Sequence, residues 1–146
     1  MTIEKVQNDL IEEFALFGDW MERYEHLIDI GKSLDPLDEK YKSNDYLIDG
    51  CQSKVWLFPE LVDNKLYFTA ESDAIITRGI VALLIRVISG RTPEEIIATD
   101  LYFIDKIGLK QNLSPTRSNG LLSMVKQMKL YAIAYNAKLK SGDDGN

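Results

Sequence analysis

Apolar residues recur every three or four positions along two stretches near the amino terminus. The first stretch contains Ile3, Val6, Leu10, Phe14 and Phe17. The second contains Trp20, Tyr24, Leu27 and Ile28. This spacing is typical of amphipathic helices, and Asp19 with Glu22 forms a capping-box-like start for the second one. The pattern therefore predicts two short helices, separated by Gly18, with the second ending at Gly31.

A loop and three β-prone segments follow. Pro36 and several turn-forming residues predict a long loop over residues 33–45. The segments rich in strand-forming residues are 46–48, 55–58 and 66–69. Asp63-Asn64 predicts a hairpin turn between the last two. Since proline cannot donate to a ladder, Pro59 is expected to end the middle strand, to bulge it, or to lie at a sheet edge.

The carboxyl-terminal half is predicted to be helical. Its most apolar segment is expected to form a buried helix that is capped by Ser72 or Asp73 and closed by Gly90. A short helix is predicted to begin at Pro93, and a long final helix to begin at Pro115. Helices therefore bracket the strands, which predicts a fold of the α+β class with a small, mainly antiparallel sheet.

Length and composition indicate one globular domain. The chain has 146 residues, of which 45% are hydrophobic and 27% are charged, and these values suit a single packed core. We assign this domain to residues 1–140. The polar tail, residues 141–146, is expected to be disordered.

Charge and hydropathy argue against two classes of partner. A net charge of −6 would repel nucleic acid phosphates. The longest apolar run lies between Arg78 and Arg86 and is far shorter than the ~20 residues that span a bilayer. The amino terminus carries no signal-peptide pattern. We therefore expect a cytoplasmic protein that binds neither nucleic acid nor membrane.

The one cysteine, Cys51, is the candidate for chemistry. One cysteine and one histidine cannot form a disulfide framework, a Cys/His zinc site or the ligand set of an iron-sulfur cluster. A lone cysteine is most often a small buried hydrophobe, so an inert adapter is one interpretation. The neighbouring Gly50, Gln52 and Ser53 instead favour a turn that presents the thiol.

A reactive thiol needs a cation or a helix amino terminus nearby, because its ordinary pKa of about 8.5 leaves little thiolate at neutral pH. The candidates are the helix start at Ser72-Asp73 and the guanidinium of Arg117. A cysteine hydrolase would need His26 as its base. Helical spacing places His26 opposite the apolar stripe of its helix, so we expect it to face solvent, which makes a hydrolase a distant alternative.

A longer pattern surrounds the cysteine. The central segment reads Ile48-Asp49-Gly50-Cys51-Gln52-Ser53-Lys54-Val55-Trp56-Leu57. Further pieces, in order, are Leu34-Asp35-Pro36-Leu37, Ser72-Asp73-Ala74, Thr92-Pro93-Glu94-Glu95-Ile96 and Leu113-Ser114-Pro115-Thr116-Arg117-Ser118-Asn119-Gly120-Leu121. Together they resemble the SufE family, the sulfur-acceptor proteins of iron-sulfur cluster assembly, over about residues 18 to 130.

The resemblance implies a SufE/IscU-like α+β fold and a role in sulfur transfer. In that role Cys51 accepts sulfane sulfur from a SufS-type cysteine desulfurase, stimulates that enzyme and delivers the sulfur to a SufBCD-type scaffold. The pyridoxal phosphate belongs to the desulfurase, so this chain is expected to carry no cofactor or metal and not to be a stand-alone enzyme. A paralogous, Csd-type desulfurase system is the alternative partner. Both a monomer and a homodimer stay open.

The resemblance also implies which residues surround the thiol. They are Gly50, Gln52, Ser53, Asp73, Arg117 and Asn119, with Ser72 and Gly120 also beside the cysteine loop. We expect Asp73 to hold the cysteine loop closed and Arg117 to engage the desulfurase or the sulfur. The chain departs from the family pattern at Asp49, where many relatives carry a non-acidic residue. A cluster scaffold of similar fold is excluded because one cysteine cannot ligate a cluster.

Overall fold

The computed structural model describes residues 1–142. Of the tail predicted at 141–146, residues 143–146 lie outside the described residues. The helices are α1 (Ile3–Ala15), α2 (Trp20–Lys32), α3 (Ile75–Ile88), α4 (Pro93–Ala98), α5 (Phe103–Lys106), α6 (Leu109–Asn112) and α7 (Pro115–Lys140). The strands are β1 (Val55–Val62) and β2 (Lys65–Ser72), and two short 3-10 turns span Glu39–Tyr41 and Asn44–Tyr46. The predicted α+β class is confirmed.

Helix α3 forms the centre of the core. Ten of its 14 residues are buried, and it packs against α2, the β hairpin, α1 and α7. Although α3 is strongly apolar, no helix among residues 1–142 is both long and apolar enough to cross a membrane.

The contact between α2 and α3 depends on two glycines. A Cβ atom on Gly31 would lie 2.7 Å from the backbone nitrogen of Gly79, and one on Gly79 would lie 2.4 Å from the carbonyl oxygen of Leu27. The prediction that Gly31 ends α2 is therefore wrong. The helix continues to Lys32 because Gly31 serves the close approach of two helices rather than termination.

Predicted helix starts are confirmed where the capping residue is close in sequence to the amide that it binds. Asp19 accepts a hydrogen bond from the Glu22 amide, Thr92 and Glu95 form a full capping box at α4, and Ser114 caps α7. The predicted cap of α3 is wrong, because the residue before that helix is Ala74 and no side chain caps it.

The β hairpin is the whole sheet within the described chain. Asp63 and Asn64 connect its strands with φ values of 51° and 64°, as a two-residue hairpin turn requires. The predicted strand at 46–48 is wrong. Only Leu47 pairs, as an isolated bridge to Trp56, because the chain turns at Asn44–Tyr46 and lays the Tyr46 ring against Phe58.

Strand β1 runs past Pro59 without a break. Pro59 pairs with Phe68, and the Phe68 amide donates to Ser89 Oγ at 2.9 Å, away from β1. The pair is therefore a non-hydrogen-bonded one, in which the missing proline N–H removes no ladder bond. Of the three predicted outcomes for Pro59, the sheet edge is the correct one.

Candidate functional site

The cysteine loop, residues 49–54, joins the turn before the sheet to β1. Its base is closed by a hydrogen bond from the Ile48 amide to the Val55 carbonyl at 2.8 Å. Gly50 has a φ of 90°, and a Cβ atom there would lie 2.5 Å from Ser123 Oγ on α7. A side chain at this position would be strained by the positive φ and would have to displace the Ser123 hydroxyl. The loop therefore lies close to α7.

The Cys51 thiol is half-buried at the start of α7. Its Sγ donates to the carbonyl oxygen of Gly120 at 3.6 Å. A cavity of about 430 Å³, including the space at its mouth, adjoins the sulfur. We call it the cysteine pocket; its lining consists of Cys51, Gln52, Ser53, Thr77, Ile80, Thr116, Arg117, Gly120 and Met124.

The surroundings of the thiol favour its neutral form. Burial raises the pKa of Cys51 above its ordinary value, because desolvation penalises the thiolate. The Gly120 carbonyl accepts a bond from the S–H group but repels an anionic sulfur. In this conformation Cys51 is a protected thiol, and its activation requires a change around the sulfur.

Asp73 contacts the cysteine loop directly. Its Oδ1 accepts a hydrogen bond from the Lys54 amide at 3.1 Å, and its own amide donates to the Lys54 carbonyl at 3.3 Å. The side chain predicted as a helix cap thus binds the last residue of the loop instead. Next to it, Ser72 Oγ accepts from the Ala74 amide at 3.2 Å.

The other predicted site residues divide into two groups. Gln52, Ser53 and Arg117 line the cysteine pocket together with Cys51. Arg117 Nη1 donates to the hydroxyl oxygen of Tyr24 at 3.0 Å. Asn119 is exposed on α7 and is not among the residues of the pocket lining.

Sequence reasoning missed several residues around the thiol. Thr77, Ile80 and Met124 line the pocket. Thr77 carried a usable signal, since it is a buried polar residue within the most apolar helix. Tyr24 was assigned to an apolar stripe, where its hydroxyl had no predicted partner.

His26 does not face solvent as predicted. Its Nε2 lies 2.7 Å from Glu13 Oε2, and its side chain is 22% exposed. Its ring packs against Phe14 and Phe17 of the α1 region, with centroids 5.0 and 4.6 Å away. The packing of α1 on α2 covers the face that an isolated helix would leave open. These contacts direct His26 toward α1, and it does not line the cysteine pocket.

Comparison with known proteins identifies the family to which this chain belongs. The family model described as SufE: Fe-S metabolism associated domain matches residues 8–132. The chain belongs to the SufE family. It is 37% identical over 134 residues to an uncharacterized SufE-like protein of Synechocystis, covering 92% of this chain and 84% of that protein.

Two other SufE-like relatives agree. One from Rhizobium etli is 39% identical over 127 residues, covering 84% of this chain and 86% of its own. SufE-like protein 1, chloroplastic/mitochondrial, of Arabidopsis thaliana is 38% identical over 142 residues, covering 93% of this chain and 38% of that protein. Because that relative is an organellar protein, the cytoplasmic location stays a prediction.

A solved structure supports the fold. The solution structure of a hypothetical protein from Thermus thermophilus matches with a TM-score of 0.75 at 16% identity, covering 90% of this chain and 96% of that one. SufE membership implies a sulfur-transfer role in iron-sulfur metabolism, in association with a cysteine desulfurase.

Proposed function

We propose that this SufE protein is a persulfide carrier. Cys51 accepts sulfane sulfur from a SufS-type cysteine desulfurase and delivers it to a SufBCD-type scaffold. The observation that supports this most is the placement of the chain's one thiol on a tight loop, half-buried beside a cavity that opens to solvent. The protein is therefore a transfer partner that carries its cargo covalently.

The transfer step needs no oxidant. The Cys51 thiol first loses its proton to solvent, and the thiolate attacks the outer sulfur of the desulfurase persulfide. The donor S–S bond breaks as a new S–S bond to Cys51 forms, and the electron pair of the broken bond leaves with the desulfurase cysteine as a thiolate. Since thiolate replaces thiolate, the step requires no base histidine and no metal on this chain.

The same step explains stimulation of the desulfurase. Removing the persulfide returns the desulfurase cysteine to its thiolate form, so the enzyme is ready for another substrate. Pyridoxal phosphate acts in the desulfurase, and this chain needs no cofactor of its own. The raised pKa of Cys51 and its bond to Gly120 protect the resting sulfur, because oxidants attack thiolates faster than thiols.

Intact-protein mass spectrometry tests the proposal. The chain is incubated with a SufS-type desulfurase, pyridoxal phosphate and L-cysteine, beside the Cys51→Ser variant. We expect a gain of one sulfur atom that a reductant removes and that the variant does not show. No gain with an active cognate desulfurase would return Cys51 to an inert structural role. Faster loading by a Csd-type desulfurase would assign the carrier to that system instead.

A further inference from the structure

Arg117 stands apart among the residues of the cysteine pocket. Within the described chain it is the one charged side chain in the lining, where the remaining polar groups are hydroxyls and an amide. It belongs to the first turn of α7, and its amide donates to Ser114 Oγ at 3.3 Å. A guanidinium at the amino terminus of a helix adds its charge to the positive end of the helix dipole.

Tyr24 binds that guanidinium. Arg117 is an exposed residue with a long side chain, and Tyr24 Oη accepts a hydrogen bond from its Nη1 at 3.0 Å. The Tyr24 ring is itself fixed, since it packs on the core and meets Trp20 edge to face, with centroids 6.3 Å apart. A well-packed part of α2 thus holds a long side chain of α7.

An anionic sulfur needs hydrogen-bond donors, whereas the resting sulfur contacts an acceptor. The sulfur of Cys51 contacts the Gly120 carbonyl, which accepts hydrogen bonds and cannot stabilise a thiolate or a persulfide anion. Once the sulfur is ionised it has to leave this carbonyl. Arg117 offers the strongest donor in the pocket lining, because a charged N–H group binds an anion more strongly than a neutral hydroxyl does.

We propose that Tyr24 is a positioning residue for sulfur uptake, whose hydroxyl holds Arg117 at the wall of the cysteine pocket so that the guanidinium receives the anionic sulfur of Cys51. The inference rests on the proposed function and adds a residue to it. An arginine anchored in advance loses less side-chain freedom during the reaction than a free one. Tyr24 does not line the cysteine pocket and acts through Arg117.

The Tyr24→Phe variant tests this role because it removes the hydroxyl and keeps the ring that packs on Trp20. The rate of sulfur uptake by Cys51 is measured over a range of desulfurase concentrations. We expect the maximal rate to fall about three- to tenfold, as for loss of one hydrogen bond of ordinary strength, with an unchanged half-saturating concentration. The matched control is Tyr102→Phe, whose lost hydroxyl bonds to Asn8 of α1 at 3.0 Å and which is expected to keep the wild-type rate.

A double-mutant cycle separates positioning from a general structural effect. In the Arg117→Ala background, Tyr24→Phe is expected to cause no further loss, since there is no guanidinium left to hold. A Tyr24→Phe variant with the wild-type rate would overturn the inference, as would the same loss with and without Arg117. Wild-type protein that takes up no sulfur would overturn the proposed function itself, and with it the inference.

Discussion

The sulfur of Cys51 meets a carbonyl oxygen, that of Gly120, rather than a cation. Together with burial, which raises the pKa of the thiol, this contact keeps the sulfur protonated at neutral pH. We expect alkylation of Cys51 in the folded protein to be slow at pH 7 and to rise with pH through a midpoint above that of the protein unfolded in urea. Equal midpoints for folded and unfolded protein would contradict this expectation.

Asp73 provides a second test at the scale of residues. Its carboxylate accepts a hydrogen bond from the Lys54 amide and so anchors the end of the cysteine loop. Asp73→Ala is expected to free this end and to raise the alkylation rate of Cys51 at pH 7 about three- to tenfold, as loss of a bond of about 0.5–1.5 kcal/mol predicts. Asp73→Asn is the control, because its side-chain oxygen still accepts from the amide. An unchanged rate in Asp73→Ala would mean that the loop is held by its other contacts.

At the scale of elements, α2 and α3 approach too closely for a side chain at their crossing. Gly31→Ala would place a Cβ atom 2.7 Å from the Gly79 backbone nitrogen. Because the clash is with backbone, the helices must separate, and we expect unfolding by urea to require about 1–3 kcal/mol less. The control is Gly18→Ala, where nothing lies within 4 Å of the added atom. Equal stabilities of the two variants would show that the crossing adapts without cost.

A shared carboxylate joins three helices. Glu13 of α1 accepts hydrogen bonds from Arg86 Nη2 of α3 at 2.7 Å and lies 2.7 Å from His26 Nε2 of α2. The bond with Arg86 is the largest cause of a Glu13 pKa below its ordinary value, and His26 contributes in the same direction. A depressed folded pKa means that the unfolded chain binds the proton more readily, so this stability is present above the unfolded pKa and is lost as pH falls through the folded one.

This linkage predicts a pH dependence for unfolding by urea. Between about pH 5 and about pH 3, around and below the ordinary glutamate pKa, wild-type protein is expected to lose about 1 kcal/mol more unfolding free energy than Glu13→Gln. Glu25→Gln, which removes an exposed carboxylate of α2, controls for the change in net charge. Parallel curves for wild type and Glu13→Gln would show that the cluster adds nothing to stability.

The elements that sequence patterns predicted correctly are those with local causes. Asp63-Asn64 favours the turn through its own tolerance of positive φ, and Thr92 with Glu95 caps α4 within four residues. Segment 46–48 and Gly31 depended instead on what packs against them. Alternating or apolar residues do not reveal that Tyr46 will lie on Phe58, or that a glycine serves a helix crossing rather than a helix end.

The candidate site shows the same difference between features that local sequence determines and features that depend on the packing of distant elements. The turn that carries Cys51 could be predicted because glycine and polar neighbours mark it in the sequence itself. The family pattern placed Asp73, Arg117 and Asn119 beside it, of which Asn119 does not line the pocket. Ser123 is brought close to the loop by α7. The Tyr24 hydroxyl is brought by α2 to Arg117 of α7. Both helices are distant from the loop in sequence. No local pattern encodes such a meeting of elements.

At the scale of the whole molecule, the proposed carrier function requires that the sulfur be protected in transit and exposed to two partners in turn. Protection of the sulfur is provided by the cysteine pocket, which lies between the cysteine loop, α3 and α7. On the α7 side the sulfur donates to the Gly120 carbonyl, so we expect the cysteine loop to move away from α7 when the sulfur is presented to a partner. We expect the free energy of desulfurase binding to drive this movement of the loop.

Opening by the partner predicts that a desulfurase accelerates alkylation of Cys51 even when L-cysteine is withheld and no sulfur can be transferred. The rate, followed by the mass of this chain alone, is expected to rise about tenfold or more at saturating desulfurase, equivalent to lowering the cost of opening by ~1.4 kcal/mol. Asp73→Ala should gain less, because its loop is already partly released. If desulfurase left the wild-type rate unchanged, the thiol would have to be reached without opening, and the protected state of Cys51 would have no part in the timing of transfer.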